Sequence, residues 1–155
     1  MSKLQVAYNK TLKLQNPCIR EVSVDELEDL EKVVYQMKNY MKSKGVVPVG
    51  PMIQCTTVFV TEAQETEIKI ELILQADKYL QKLESQYKML PQLRVANCLF
   101  TRVIGEEYYL KYAYDKLNLT AFEEDIPLAG RTFTVFTGKD GAEFSADIFV
   151  ECEVR

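Results

Sequence analysis

Apolar and polar residues follow two periods along this chain, and the period changes near Gly and Pro residues. From Glu67 to Gln75 most apolar residues recur at every second position, which is the period of a β-strand with one buried face. From Ser23 to Gly45 they recur at every third or fourth position, which is the period of an α-helix. The pattern therefore predicts an α+β fold.

The predicted elements occur in the order strand, helix, strand, strand, and this order appears twice. In the first half they are a strand built from 3–14 and 18–24 with a break at Asn16-Pro17, a helix over 23–45, and strands over 52–60 and 67–75. In the second half they are a strand over 94–105, a helix over 106–124, and strands over 131–138 and 143–154 joined by a turn at 138–141. Alternate residues from Phe144 to Val154 are predicted to share one face of the last strand.

Two similar stretches of sequence support a duplication. "VPVGPMIQCTTVF" runs from Val47 to Phe59, and "IPLAGRTFTVF" runs from Ile126 to Phe136. Each follows the helix of its half and leads into the next strand. The sequence therefore predicts tandem pseudo-symmetric modules in one domain: module one at about 1–75, a linker at about 76–93, and module two at about 94–155.

The first helix carries signals for both of its ends. Ser23 followed by Glu26 has the spacing of a capping box, and Gly45 is placed to end the helix in a left-handed conformation. The apolar stripe that should face the sheet consists of Leu27, Leu30, Val34, Met37 and Met41.

The linker has the spacing of a short amphipathic helix that ends before Pro91. Its apolar positions are Leu80, Leu83, Tyr87 and Leu90. A mobile loop over the cleft between the modules is the alternative, because it would have the same composition.

The second helix is predicted to have apolar residues on two sides. The stripe that should face the sheet consists of Tyr109, Leu110, Ala113, Tyr114, Leu117 and Ala121. Tyr108, Tyr112 and Leu119 fall on nearly the opposite side. This second stripe is predicted to be covered by the linker, to line the cleft, or to contact another protein. The alternative is that Tyr108 and Tyr112 are ordinary surface residues whose hydroxyls are hydrated.

Composition and charge exclude several functional classes. The 155 residues have a net charge of −4 with scattered basic residues, so nucleic-acid binding is not expected. The chain has no His, which removes the usual general base and the commonest metal ligand, and it shows no metal or cofactor motif. It also lacks an apolar run of bilayer length and an export signal, so a cytoplasmic protein with four reduced, mostly buried Cys residues is expected.

At the level of these modules the chain resembles the GyrI-like superfamily, which includes bacterial effector-binding domains. The resemblance implies two helices on one face of an antiparallel sheet, with ligands bound in the cleft between the halves. Members that bind cationic drugs usually carry a Glu in the strand after the second Gly-Pro turn. Here Arg131 follows Gly130, and no carboxylate precedes Lys139. The resemblance therefore does not extend to a cation-binding carboxylate in this strand.

The stretches "GVVPVGPMIQCTTVFV" and "VIGEEYYLKYAYDKL" are similar to the DUF5085 family. This resemblance implies a cytoplasmic, non-enzymatic adaptor or chaperone for a type VII secreted toxin of the LXG or nuclease type. The implied partner is the toxin client or the secretion machinery, and neither a cofactor nor a membrane is expected.

Three functional hypotheses follow from the sequence. The first is the adaptor, which would use an exposed aromatic surface or a sheet edge. The second is a small-molecule protein with a cleft for a small apolar ligand. The third is a hydrolase with Glu71 or Glu123 as the water-activating carboxylate in that cleft. The residues predicted at the partner or cleft surface are Tyr108, Tyr112, Leu119, Met52, Gln54 and Phe133.

Overall fold

The computed structural model describes residues 4–138 and 143–154, and within them the chain forms an α+β fold. A single antiparallel sheet contains the eight strands of the described residues. The elements in chain order are β1 (Ala7–Gln15), β2 (Pro17–Val22), a 3₁₀ helix (Asp25–Asp29), α1 (Leu30–Ser43), β3 (Pro48–Val60), β4 (Thr66–Ala76), β5 (Tyr87–Met89), β6 (Gln92–Gly105), α2 (Tyr109–Glu123), β7 (Leu128–Gly138) and β8 (Phe144–Cys152). The order strand, helix, strand, strand is thus present twice, as β2-α1-β3-β4 and β6-α2-β7-β8.

The sheet curls so that its two ends come together. Its strand order is β1-β6-β8-β7-β3-β4-β2-β5, which places β1 and β2 far apart in the order. Only Asn16, at a positive φ of 48°, separates these two strands in the chain. The Asn16 N–H donates to the carbonyl of Pro91 at 3.0 Å. Gln15 faces Gln92 and Cys18 faces Met89, so the same register continues past the break.

The prediction of one first strand with a break at Asn16-Pro17 is wrong, because this segment forms two strands with different partners. The segment before β2 is not a continuation of it within the first half, because β1 pairs with β6 of the second half. The opposite exchange is made by β5, which precedes β6 of the second half in the chain and pairs with β2 of the first half. The two halves therefore exchange their outermost strands, and each half contains an edge strand from the segment that precedes the other.

The two helices cover one face of the sheet, and the other face encloses a third core. Val33, Met37 and Met41 of α1 pack on β2 and β4, and Ala113, Leu117 and Ala121 of α2 pack on β6 and β8. The third core lies inside the curl and contains Leu12, Leu14, Ile19, Ile53, Cys55, Ile73, Val95, Cys98 and Phe133. All four cysteines are buried free thiols, as the sequence predicts.

The first helix begins later than predicted and ends as predicted. Glu26 accepts a hydrogen bond from the Ser23 N–H at 3.0 Å, but residues 25–29 form a 3₁₀ helix. α1 then begins at Leu30, after Asp29 accepts from the Lys32 N–H. The prediction for Gly45 is confirmed, since its φ is +79° immediately after the helix.

The predicted linker helix is wrong. The chain between β4 and β5 is irregular, and Tyr87 and Met89 of β5 are buried on one face with Lys88 exposed between them. The Tyr40 ring of α1 stacks on Tyr87 at 3.9 Å, and the Tyr40 hydroxyl donates to Glu84. The apolar spacing that suggested a helix instead supplies residues that pack against the first module from an extended chain.

Strands β3 and β7 begin with matching irregularities. Pro48, Gly50 and Pro51 lie inside β3, where the register with β4 shifts between Val49 and Ile53. In β7 the register with β8 shifts between Leu128 and Thr132, around Gly130. Gly50 and Gly130 both have positive φ values, +79° and +107°. Each half therefore has a bulge where the chain leaves its helix and enters the sheet.

The alternation predicted for the last strand of each half is confirmed in β8 and only in part in β4, where Ile73 is buried on the opposite face. Leu72 and Leu74 of β4 are buried under α1, whereas Ile68 is 63% exposed near the strand start. In β8 the alternate residues from Phe144 to Cys152 are buried under α2, but Val154 lies beyond the strand and is exposed. The predicted turn at 138–141 falls mostly outside the described residues.

Among the helices of the described residues, none has the length and apolar character needed to span a membrane.

Candidate functional site

A cleft of about 420 Å³ opens between the two halves, on the face of the sheet that carries the helices. The first turns of α1, the residue Glu107 before α2, and strands β3, β7 and β8 contribute to its walls. Its lining residues are Leu30, Glu31, Val34, Met52, Glu107, Phe136, Gly138 and Phe144. Most of this surface is apolar, and two carboxylates are its only charged groups among the described residues.

The floor of the cleft is formed where β3 pairs with β7. Met52 and Gln54 alternate along β3 with Ile53, which belongs to the core on the opposite face, so Met52 and Gln54 share the face of the helices. Gln54 lies opposite Thr134 of β7. The Thr134 hydroxyl is 2.6 Å from the Tyr114 hydroxyl of α2, which ties this helix to the floor. Burial raises the pKa of Tyr114, so the phenol stays protonated at neutral pH.

Both charged side chains in the described part of the cleft lining are carboxylates. Glu31 lies in the first turn of α1, and Glu107 lies two residues before the start of α2. The nearby Arg131 does not reach this cleft, because it lies on the opposite face of β7 and forms two hydrogen bonds with Glu151 at 2.8 and 2.9 Å. A ligand in the cleft would meet an apolar wall and two acidic groups.

The structure brings together only part of the predicted cleft surface. Met52 lines the cleft, and Gln54 lies further along the same strand face. Phe133 does not belong to it, because its side chain is 1% exposed and packs in the core inside the curl. The alternation along β7 places Phe133 and Val135 on the side of that core, and Thr134 and Phe136 on the side of the helices. Phe136 is the aromatic residue of β7 that lines the cleft, and it was not singled out from the sequence.

Neither carboxylate of the hydrolase hypothesis reaches the cleft. Glu71 points to the opposite face of β4, where it lines a separate hollow of about 190 Å³ together with Lys69, Lys88 and Arg131. Glu123 is exposed at the end of α2. Cys55 borders the Glu71 hollow, but burial raises the pKa of its thiol to about 11, which disfavours the reactive thiolate.

A second candidate surface runs along the outer side of α2. Tyr108, Tyr112 and Leu119 are 62%, 53% and 52% exposed, and the linker does not cover them. Phe122 extends this stripe by one further turn and is 81% exposed. The inner stripe of α2 is buried or half-buried against the sheet, as predicted. We refer to Tyr108, Tyr112, Leu119 and Phe122 as the α2 outer stripe.

The sequence matches no protein-family model and no curated protein. Solved structures with a similar fold are found. The chain aligns with EcmrR from a cryo-EM structure of an EcmrR–DNA complex over 98% of this chain and 58% of EcmrR, with a TM-score of 0.66 and 15% identity. A hydrolase from Listeria innocua aligns over 97% of this chain and 92% of its own, with a TM-score of 0.57 and 9% identity.

A further similar structure contains a ligand. SAV2435 bound to tetraphenylphosphonium aligns over 98% of this chain and 94% of its own, with a TM-score of 0.51 and 8% identity. At these identities the similarity shows the fold alone, and the curled sheet with two helices is compatible with a GyrI-like fold. This chain spans less than two thirds of EcmrR. Since that structure is a DNA complex, the expectation that this chain binds no nucleic acid stays a prediction.

Proposed function

We propose that this protein binds a small apolar cation in the cleft between its two halves. The observation that carries the proposal is the combination of an apolar cleft of about 420 Å³ with Glu31 and Glu107 as the charged residues among the described part of its lining. This volume lies in the range of small-molecule sites, where apolar walls supply affinity and a few polar groups set specificity. The similar fold of SAV2435, which is bound to tetraphenylphosphonium, supports the proposal.

The carboxylates of this cleft come from the helices and not from the strand after the second glycine turn. The sequence has no carboxylate in β7 before Lys139, so this strand does not supply the negative charge of a cation site. Glu31 and Glu107 provide the negative charge from a different part of the fold. Both carboxylates are exposed, and a cation that displaces water from the cleft would strengthen their attraction, because the local dielectric falls.

Isothermal titration calorimetry with tetraphenylphosphonium tests this proposal. We expect the double variant Glu31→Gln/Glu107→Gln to weaken binding on the order of tenfold, equivalent to about 1.4 kcal/mol. A Glu28→Gln variant, on the exposed 3₁₀ helix outside the cleft lining, is the matched control and should bind as the wild type does. A neutral analogue of similar shape, triphenylphosphine oxide, should show no dependence on either carboxylate.

A filling substitution locates the site. Met52→Trp adds a bulky ring on the cleft wall and should abolish binding while the far-ultraviolet circular dichroism stays unchanged. Tetraphenylphosphonium binding that survives both the filling variant and the double Gln variant would contradict the proposed site.

A second candidate function is a non-enzymatic protein-binding adaptor, and the exposed α2 outer stripe is the observation that favours it. The resemblance to DUF5085 suggests the client, a type VII secreted toxin or part of the secretion machinery. Tyrosines suit a protein interface because each brings a large contact area and a hydroxyl that can still form hydrogen bonds.

An affinity pull-down from native cells tests the adaptor. Tyr112→Asp should lose a toxin-like client that the wild type recovers, while the variant stays folded. Lys38→Asp on the outer side of α1 is the matched control and should keep the client. Recovery of the same client by Tyr112→Asp would remove the stripe from this function.

A further inference from the structure

The α2 outer stripe is large enough for a specific interface with a second copy of this chain. A whole aromatic side chain presents roughly 150–250 Å², so the four exposed fractions leave about 500 Å² of mostly apolar surface on one protomer. If all of this surface were covered, two copies would bury about 1,000 Å² in total, which is about the minimum for a biological interface and below the roughly 1,200 Å² of stable complexes. The area alone does not identify the occupant, and it fits a weak, reversible dimer.

The stripe is narrow, as a helix pairing requires, and Asp115 divides it into an N-terminal and a C-terminal part. With 3.6 residues per turn, its four side chains and Asp115 fall within about 80° of arc along the outer side of α2. The helix spans Tyr109–Glu123, so the stripe extends along its whole length. The inner side is already packed against β6 and β8, so only the outer side is available for a partner.

The charges beside the stripe are self-complementary in an antiparallel arrangement. If Tyr112 of one copy lies opposite Leu119 of the other, then Asp115 lies opposite Lys116 of the second copy. By symmetry, Lys116 then lies opposite Asp115 of the second copy, which gives two ion pairs at the centre. Asp115 and Lys116 are both exposed in the protomer, so both side chains are accessible to a second copy.

The same register also uses the two ends of the helix. It places Tyr108 opposite Glu123 of the second copy, where the phenol can donate to the carboxylate. A shallow depression of about 470 Å³ beyond the end of α2 is lined by Ala121, Phe122, Asp125, Ile126 and Pro127. Helical side chains lean towards the N-terminus, so Tyr108 of the second copy would extend towards this depression. A shift of one residue would instead bring Asp115 against Asp115, which like-charge repulsion disfavours.

We infer that two copies of this chain associate by antiparallel packing of α2 against α2, with Asp115 and Lys116 setting the register. This inference rests on the protein-binding role of the α2 outer stripe and is independent of the ligand cleft. It assigns the stripe to a second copy, so a client that needs the same residues would compete with the dimer.

Charge reversal tests the inference by sedimentation velocity over a wide range of concentration. The wild type is expected to show a monomer–dimer equilibrium. Asp115→Lys places lysines opposite lysines, and Lys116→Asp places aspartates opposite aspartates, so each variant should weaken self-association at least about tenfold. An equimolar mixture of the two variants should form a heterodimer, because every central pair then has opposite charges. Lys38→Asp on α1 is the control and should leave the dimer intact.

Three outcomes would overturn the inference: a wild type that stays monomeric at all concentrations, a mixture of the two charge variants that stays monomeric, or a dimer that Tyr112→Asp does not weaken. A monomeric wild type that binds a client through Tyr112 would assign the stripe to that client. Tetraphenylphosphonium titration of the charge variants separates this result from the cleft proposal, because a folded monomeric variant should bind the cation as the wild type does.

Discussion

The two helices occupy corresponding places in the two halves, but their side chains fill the fold differently. The buried residues of α1 are Val33, Met37 and Met41, and those of α2 at the same spacing are Ala113, Leu117 and Ala121. The smaller inner side of α2 packs on a sheet surface with the large residues Leu99, Phe144 and Ile148. The two helices therefore fill the same position with side chains of different size, and under α2 the large sheet residues make up the volume.

The outer sides of the two helices differ more than the inner ones. At the offset that relates the buried residues, Tyr108, Tyr112, Leu119 and Phe122 correspond to Glu28, Lys32, Asn39 and Lys42. These four counterparts on the first half are exposed and polar. Tyr35, at the same offset from Asp115, is 68% exposed on this side of α1. The outer side of α1 thus carries one exposed aromatic residue where α2 carries four exposed apolar ones, so the fold itself does not require the apolar stripe of α2. The difference therefore supports a partner for α2.

The largest expected effect comes from the inner sides. Met37→Ala and Leu117→Ala each remove a fully buried side chain, and each should lower the free energy of unfolding by about 2–5 kcal/mol in chemical denaturation. Leu119→Ala, two residues further along α2 but on its outer side, is the matched control and should cost less than about 0.5 kcal/mol in the monomer. A cost for Leu119→Ala equal to that for Leu117→Ala would show that the outer stripe packs within the protomer.

The two bulge glycines should respond unequally to alanine. A Cβ on Gly130 would lie 2.7 Å from the backbone oxygen of Val58, whereas a Cβ on Gly50 would meet only the Gln75 side chain at 3.4 Å. Both positions have positive φ values, so each substitution adds strain. We expect Gly130→Ala to lower the free energy of unfolding by about 2–3 kcal/mol and Gly50→Ala by about 1 kcal/mol. Equal losses in thermal or chemical denaturation would contradict this asymmetry.

An acid-sensitive contact should distinguish the first half from the second. The buried Arg20 of β2 pairs with Glu26 at 2.5 Å, and the Ser23 N–H together with Arg20 lowers the pKa of Glu26. Because the folded pKa is below the unfolded value, this stabilisation is present at neutral pH and is lost as the pH falls through the folded pKa. Glu26→Gln should therefore cost about 1 kcal/mol at pH 7, and its difference from the wild type should shrink below about pH 4.

The comparison at pH 7 and in acid is made by urea denaturation of both proteins. Glu28→Gln, on the same 3₁₀ helix but without a contact to Arg20, serves as the control. A stability difference between Glu26→Gln and the wild type that stays constant from neutral to acidic pH would show that the pKa shift of Glu26 does not stabilise the fold.

The smallest effect on stability is expected from exchanging the outer sides. A variant with Tyr108→Glu, Tyr112→Lys, Leu119→Asn and Phe122→Lys gives α2 the outer residues of α1. Each change should alter the free energy of unfolding of the monomer by less than about 0.5 kcal/mol, because the side chains are exposed. Self-association should be lost in sedimentation velocity, and the cation should still bind in the cleft. A variant that unfolds would show that the stripe stabilises the protomer.

The sequence predicted those elements whose signals are local. The inner side of α2 and the alternation in β8 follow from periods of 3.6 and 2, which one helix or strand is sufficient to display. The C-terminal end of α1 follows from one glycine, since Gly45 adopts a left-handed conformation at little cost. The exposure of Tyr108, Tyr112 and Leu119 follows from the same helical period.

The missed features depend on contacts between parts of the chain that are distant in sequence. Nothing within residues 7–15 indicates that β1 pairs with β6 and not with a strand of its own half. Leu80, Leu83 and Tyr87 have helical spacing, yet stacking of Tyr87 on Tyr40 and strand pairing with β2 decide the conformation. Phe133 and Phe136 lie on opposite faces of β7, and both faces of this strand carry apolar residues, so the local pattern does not show which one faces the helices.

The exchange of outermost strands delays the pairing of β1 during synthesis. As the ribosome releases the chain from its N-terminus, β1 emerges first, but the hydrogen-bonding partners of its residues lie between Gln92 and Phe100. Well over half of the protein must therefore be translated before the first strand can pair. Contacts this distant in sequence slow folding. The nascent chain will carry an unpaired strand with Leu12 and Leu14 uncovered for most of its synthesis, when chaperones have their best opportunity to bind it.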